Sequence, residues 1–212
     1  MTLRSFFLLL ALAPALIAGP ALATETPPDV LARTTTEEVI EILKQDKSIQ
    51  SGNLARVHQL VEARILPNFD FNRMTQLALG KHWPRATPKQ KQELVTEFSN
   101  LLVRTYSSSL IAYTDQAIEF KPLVMKPDDN DVTVRSEIRQ PGGQPIAINY
   151  SMYRTSFGWK VYDVAIDGVS LVTNYRASFA STIRQSGIDG LIKTLATQSA
   201  RVTPAPSTDG GT

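Results

Sequence analysis

The spacing of apolar residues changes period twice along this chain, and that change most limits the folds open to it. Up to Tyr113 they recur every three to four residues. Between Ile118 and Ile166 they largely alternate with polar ones, and from Ser170 to Ala200 the longer spacing returns. The long spacing buries one stripe of a helix, and alternation buries one face of a strand. Helices, then a run of strands joined by short turns, then helices again make an α+β domain. The helices must cover one face of the sheet, the only large apolar surface available to them.

The first helix is expected over Asp29–Lys47, with the Thr34–Thr36 run as a break or a cap, since Thr35 and Glu38 have capping-box spacing. Ser51-Gly52-Asn53 reads as a turn. A helix over Leu54–Leu66 should end at Pro67, and a short one over Asp70–Leu79 at Gly80. The clearest start is Thr87-Pro88-Lys89-Gln90, with Thr as N-cap, Pro first and Gln third in the helix. That helix should run to about Tyr113 behind a stripe that includes Leu102, Tyr106 and Leu110.

Four strands are expected: Ile118–Met125, interrupted by Pro122; the alternation containing Val132, Val134 and Ile138; that of Ile146, Ile148, Tyr150 and Met152; and Phe157–Ile166 with Val161 and Val164. Turns at Asp128–Asp131 and Pro141-Gly142-Gly143 are short, which implies an antiparallel meander, one face wet and one buried. The last helices are expected over Ser170–Gln185, carrying Leu171, Tyr175 and Phe179, and over Ile188–Ala200. The fold expected is therefore α+β: a four-stranded, strongly twisted antiparallel sheet covered on one face by several helices and able to enclose an apolar cavity.

The N-terminus has one cation, Arg4, then an apolar run from Phe6, then Ala21-Leu22-Ala23. This is the layout of a secretory signal peptide cleaved after Ala23. A membrane span needs ~20 apolar residues, and here Pro14 and Pro20 interrupt the run. The expected domains are a leader over 1–23, a single domain over 24–202 and a disordered tail over 203–212. With no Cys anywhere, neither a disulfide nor a lipoprotein signal is available, and stability must come from the core. Basic and acidic residues number 22 and 20, with no cluster of the excess cations that a nucleic-acid surface would need.

Catalytic equipment is sparse. His58 and His82 lie on different expected elements and read as solvated surface residues, not as zinc ligands. Gly168-Val169-Ser170 has half of a nucleophile elbow, and Ser170 reads better as an N-cap. Asp163 is a carboxylate in an otherwise apolar strand. It could bond helix amides, pair with Arg176, or serve as an acidic base.

The stretches Leu79–Thr114 and Gly158–Leu195 carry a set of matching pieces. These are Leu79-Gly80-Lys81 with Trp83, Leu102 through Tyr106, Trp159-Lys160-Val161-Tyr162-Asp163-Val164, Gly168-Val169-Ser170-Leu171, Asn174-Tyr175-Arg176 with Phe179, and Gly190-Leu191-Ile192 with Leu195. In order and spacing they resemble the MlaC, or toluene-tolerance auxiliary, family of periplasmic phospholipid carriers in Gram-negative bacteria. The resemblance implies a non-enzymatic shuttle that helps maintain outer-membrane lipid asymmetry. Its cargo would be phospholipid, with no cofactor or metal. Its partners would be an inner-membrane ABC transporter with an MCE-domain protein and an outer-membrane lipoprotein-porin complex. It would act as a monomer and contact no nucleic acid.

A two-chain lipid has ~30 methylenes, so leaving water is worth on the order of 25 kcal/mol at ~0.8 kcal/mol each. Its carrier needs a cavity near the upper end of the usual range, ~1,000 Å³. The lining expected is Leu102, Tyr106, Leu110, Val134, Ile146, Ile148, Tyr150, Met152, Val161, Val164, Leu171, Tyr175 and Phe179. Arg176 or Lys81 could meet a phosphate at the mouth. The rival readings are an exported enzyme for a small apolar molecule on a cone-shaped α+β fold, with Asp163 as base, a binding protein for such a molecule, or an exported adaptor without a ligand.

Overall fold

The computed structural model describes residues 25–112, 116–139 and 142–200. The expected leader and tail, together with Tyr113 and Pro141, lie outside the described residues.

Helix α1, Pro28–Gln45, starts with a proline in its first turn, where the missing N–H costs nothing. It runs unbroken through the threonines. The hydroxyls of Thr34 and Thr36 donate to the carbonyls of Val30 and Ala32, each at 2.8 Å, so they fold back onto the helix instead of capping a new one. Asp46 caps the single turn α2, Lys47–Gln50, and receives Nε–H of Arg56 at 2.8 Å. The Ser48 hydroxyl, then Arg56, hold its carboxyl down to about 2.

Helix α3, Leu54–Leu60, does not continue regularly to Leu66. It widens into a π-helical turn over Val61–Ile65 and tightens into a 3₁₀ turn over Leu66–Asn68. Pro67 offers no N–H, and its ring would crowd the carbonyl of Ala63, four residues back, in a regular helix. Asp70 caps α4, Phe71–Leu79, by accepting the N–H of Arg73 at 2.9 Å. A 3₁₀ stretch, Gly80–Arg85, leads to α5, Pro88–Ala112. The capping box read from sequence is formed: Thr87 N–H donates to Gln90 Oε1 at 3.0 Å, and Gln90 N–H to Thr87 Oγ1 at 3.2 Å.

The sheet is an antiparallel meander of five strands, not four: β1 Ala117–Phe120, β2 Asp131–Arg139, β3 Ile146–Thr155, β4 Gly158–Ile166 and β5 Val169–Ser170. β1 stops short of Met125, consistent with Pro122 having no donor for the ladder. The fifth strand comes from a two-residue turn. Asp167 and Gly168 have φ of 48° and 81°, the positive pair that a type I′ hairpin requires. Ala165 then pairs with Ser170 and Ile166 with Val169. Two residues are too few to show alternation.

Helix α6, Leu171–Ala200, contains the break expected between two helices. It lies at Gly187, with φ 71° and ψ −176°. Three apolar clusters result. One joins α4, α5 and α6 around Phe98, Leu191 and Leu195. Another joins the inner sheet face to Ala32 of α1. The third joins α1, α2, α3 and Val61 around Leu43, Ile49 and Val57.

Candidate functional site

Between the inner sheet face and the helices lies a cavity of about 320 Å³. Three walls make it. α1 contributes Leu31, Ala32, Thr35, Thr36, Val39, Ile40 and Leu43. The inner stripe of α5 contributes Leu102, Val103, Tyr106, Ser107, Ser109 and Leu110. The sheet contributes Ile118, Ile138, Ile148, Tyr150, Met152, Val161, Val164 and Ile166. The segment from Val61 to Met74 closes one side with Ile65, Leu66, Phe69 and Phe71, and Leu171 adds the start of α6.

Local geometry explains why the sheet presents so many apolar groups at once. In β2 and β3, Ser136 pairs with Ile148 and Val134 with Tyr150, so alternate residues share a face. In β4 the register slips: Ser151 faces Asp163 but Met152 faces Val161. Tyr162 is the extra residue of a β-bulge, and the slip returns both Val161 and Val164 to the cavity side. Phe69 bridges to Val161 in parallel, and Asp70 N–H donates to the Val161 carbonyl at 2.8 Å.

Among the described residues the lining includes no Asp, Glu, Lys or Arg. Its polar groups are hydroxyls and the Asn68 amide. Burial pushes the Tyr106 phenol up to about 12, with Tyr175 adding to the effect. Burial also raises Tyr150, while hydrogen bonds to the Ser136 and Thr36 side chains pull the other way. Both phenols are neutral at ordinary pH. A mostly apolar wall with a few hydroxyls suits an uncharged, flexible hydrocarbon and offers nothing to ionise it.

Nine of the thirteen residues expected from the sequence meet here: Leu102, Tyr106, Leu110, Ile148, Tyr150, Met152, Val161, Val164 and Leu171. Four do not. Val134 is fully buried within the inner-face cluster, and Ile146, the first residue of β3, packs against the same cluster. Tyr175 and Phe179 face the other helical core, where their rings lie 5.2 and 5.1 Å from that of Phe98 in edge-on contacts. Their four-residue spacing put them on one helix face but could not say which core that face meets. The α1 wall and Val61–Met74 were missed as lining. Their apolar stripes are plain in the sequence, but their place opposite the sheet is not.

The cavity is also smaller than the ~1,000 Å³ expected of a lipid site. Long flexible side chains, Met74, Met152, Leu66 and Leu110 among them, reach into the space between sheet and helices. Lys81 and Arg176 are not part of its lining. Arg176 instead donates Nε–H to the Leu77 carbonyl at 3.1 Å.

The other sequence candidates have structural posts. The Asp163 carboxylate accepts the Ser170 hydroxyl and, at 3.1 Å, the Val172 N–H, while Ser170 Oγ accepts the Thr173 N–H at 3.0 Å. Together they cap α6. His82 is not a surface residue; its exposure is 6% and neither ring nitrogen has a partner. Among the described residues no group of three or more His, Cys, Asp or Glu is placed to hold a metal, and no helix is long and apolar enough to cross a membrane.

Comparison with known proteins gives the same direction. A phospholipid-binding protein from Ralstonia solanacearum, solved in complex with a phospholipid, superposes with a TM-score of 0.77 at 37% identity, covering 82% of this chain and 97% of that one. The toluene tolerance protein ttg2D of Pseudomonas putida is 28% identical over 188 residues, 88% of this chain and 84% of that protein. The MlaC binding protein of the intermembrane phospholipid transport system of Haemophilus influenzae is 27% identical over 173 residues, 79% of this chain and 80% of that protein. The model of the MlaC protein family matches residues 33–197, and the chain belongs to that family.

Proposed function

We propose that the protein binds phospholipid with its acyl chains in the cavity between sheet and helices and carries it between the inner and outer membranes. The observation that carries this reading is the cavity itself: its lining draws apolar side chains from α1, α5, α6 and the sheet and, among the described residues, includes no ionised group. The Ralstonia relative supports the choice of ligand.

The chains leave water for an environment about as apolar as a bilayer, and the phosphate stays outside, where no desolvation is needed. Two chains need more room than 320 Å³, so α1 and the Val61–Asn68 segment move away from the sheet as lipid enters. The π-helical turn at Val61–Ile65 lies within that wall, and such turns often mark functional sites. The thirteen residues expected from sequence reduce, in this reading, to the nine that line the cavity. Residues 1–23 are an export signal, and sequencing of the periplasmic form starts at Thr24. The soluble form is a monomer, supplied and emptied by an inner-membrane ABC transporter with an MCE-domain protein and an outer-membrane lipoprotein-porin complex. It catalyses no reaction.

Two charge substitutions test the cavity. Ile148 faces it; Asn149, the next residue of β3, points to the other face of the sheet. Phospholipid in the purified, folded variants is measured by mass spectrometry. Ile148→Glu loses lipid and Asn149→Glu keeps it. Retention by Ile148→Glu would place the acyl chains elsewhere.

A further inference from the structure

A second pocket, of about 410 Å³, lies between the Gly80–Arg85 turn, the start of α5 and the kink of α6. Its lining shares no residue with the apolar cavity. Its polar members are His82, Arg85, Gln90 and Arg184. Gln90 is already committed, since it completes the Thr87 capping box and donates to Asp189 Oδ1 at 2.7 Å. The other three are not. Among the described residues Arg85 and Arg184 make no ion pair. The His82 ring is buried with both nitrogens unpartnered. A buried polar group without a partner is rare enough to need a reason, and an absent ligand is one such reason.

We propose that His82, Arg85 and Arg184 form a binding site for a phosphate group, separate from the apolar cavity. Each guanidinium presents a planar fork that matches two phosphate oxygens. The imidazole adds an N–H, and a second when protonated. Lys81 adds a further positive charge beside His82, and Asp189, which neighbours the lining residue Ile188, accepts from Gln90. Burial, then Lys81, Arg85 and Arg184, hold His82 below its usual value; a bound anion would reverse the effect of the cations. The phosphate has two possible sources, free inorganic phosphate or a headgroup at a bilayer surface. Both present the same oxygens. The site does not depend on the lipid reading of the cavity.

The His82 ring proton reports on the site directly in the mature protein, with His58 as an internal control. Inorganic phosphate is titrated against sodium chloride at equal ionic strength while the imidazole resonances are followed by NMR. Free phosphate at the site gives a saturable change at His82, an upward pKa shift of about one unit or more, and no change at His58. The double substitution Arg85→Gln with Arg184→Gln removes the response. In the second arm, vesicles of phosphatidylglycerol are sedimented with the protein. A headgroup at the site gives binding that the same double substitution abolishes and that Lys44→Gln with Lys47→Gln, an equal loss of charge elsewhere, preserves. A specific response in either arm supports the site and names its source. A chloride response equal to that of phosphate, or no specific response in both arms, overturns it.

Discussion

Met152 of β3 pairs with Val161 of β4, whereas its neighbour Ser151 pairs with Asp163, so Tyr162 is one residue more than the ladder needs. Without that slip, Val161 and Val164 would stand on opposite faces of the strand. The bulge makes both of them wall. Deleting Tyr162 leaves Val161 and Val164 two positions apart in a regular ladder, so both should stay on the cavity side. Tyr162→Ala, which loses the ring but keeps the count, is the control. The deletion is expected to be no less stable than the substitution, since neither exposes a buried valine. Urea unfolding measures the difference, and a deletion about 1.5–3 kcal/mol less stable than the substitution, the value of burying one such side chain, would contradict the bulge's role.

The outer side of the same region is held by Arg73 of α4. Its guanidinium lies 3.9 Å from the ring centres of both Tyr153 and Tyr162 and 3.2 Å from Asp131. Tyr153 donates to Asp70, the cap of α4, and Tyr162 to Asp131 at 2.7 Å. A planar cation between two rings is a poor site for lysine. Arg73→Ala should lower stability by about 1–2 kcal/mol, two exposed cation–π contacts at ~0.5–1 each. Arg73→Lys should recover less than half. Full recovery in thermal unfolding would reduce the contact to simple charge.

Gly187 has the backbone angles that only glycine adopts without strain. Its kink redirects α6 so that Leu191 and Leu195 reach the core around Phe98. Gly187→Ala is expected to destabilise the protein by about 1–3 kcal/mol, while Ala177→Gly, at an exposed position of the regular helix, costs about 1 kcal/mol or less. Chemical denaturation of both variants checks the order.

His82 gives stability a pH dependence of definite sign. Burial first, then the neighbouring cations, depress its affinity for a proton in the folded state. The unfolded chain, titrating near 6.5, takes up the proton more readily. Stability is therefore whole above that value and declines as pH falls through it toward the depressed folded value. In His82→Phe this decline is absent between about pH 6.5 and 5, where carboxylates contribute less. An unchanged slope in the variant would show that other groups set it.

Much of the framework was legible from local chemistry. Pro88 behind Thr87, the alternation of Val132 to Met152 and the break before Ile188 each depend on neighbours in sequence, and each formed where expected. What escaped was set by distant contacts or by counts too short to have a period. Val169-Ser170 is a strand only because Asp167-Gly168 folds it back on β4. Tyr175 and Phe179 have the right spacing for a wall but meet Phe98 instead. His82 carries no local sign of burial; the kink of α6 and the turn before α5 enclose it.

Native mass spectrometry of the mature protein, purified without added lipid or detergent, asks most directly whether the cavity holds a phospholipid. The expected spectrum shows a monomer carrying a mass that dissociates on activation and fragments as a phospholipid. Ile148→Glu, if folded, flies without it. A wild-type spectrum containing only the bare chain, from protein that also takes up no phospholipid from vesicles, would contradict the proposal that this protein is a lipid carrier.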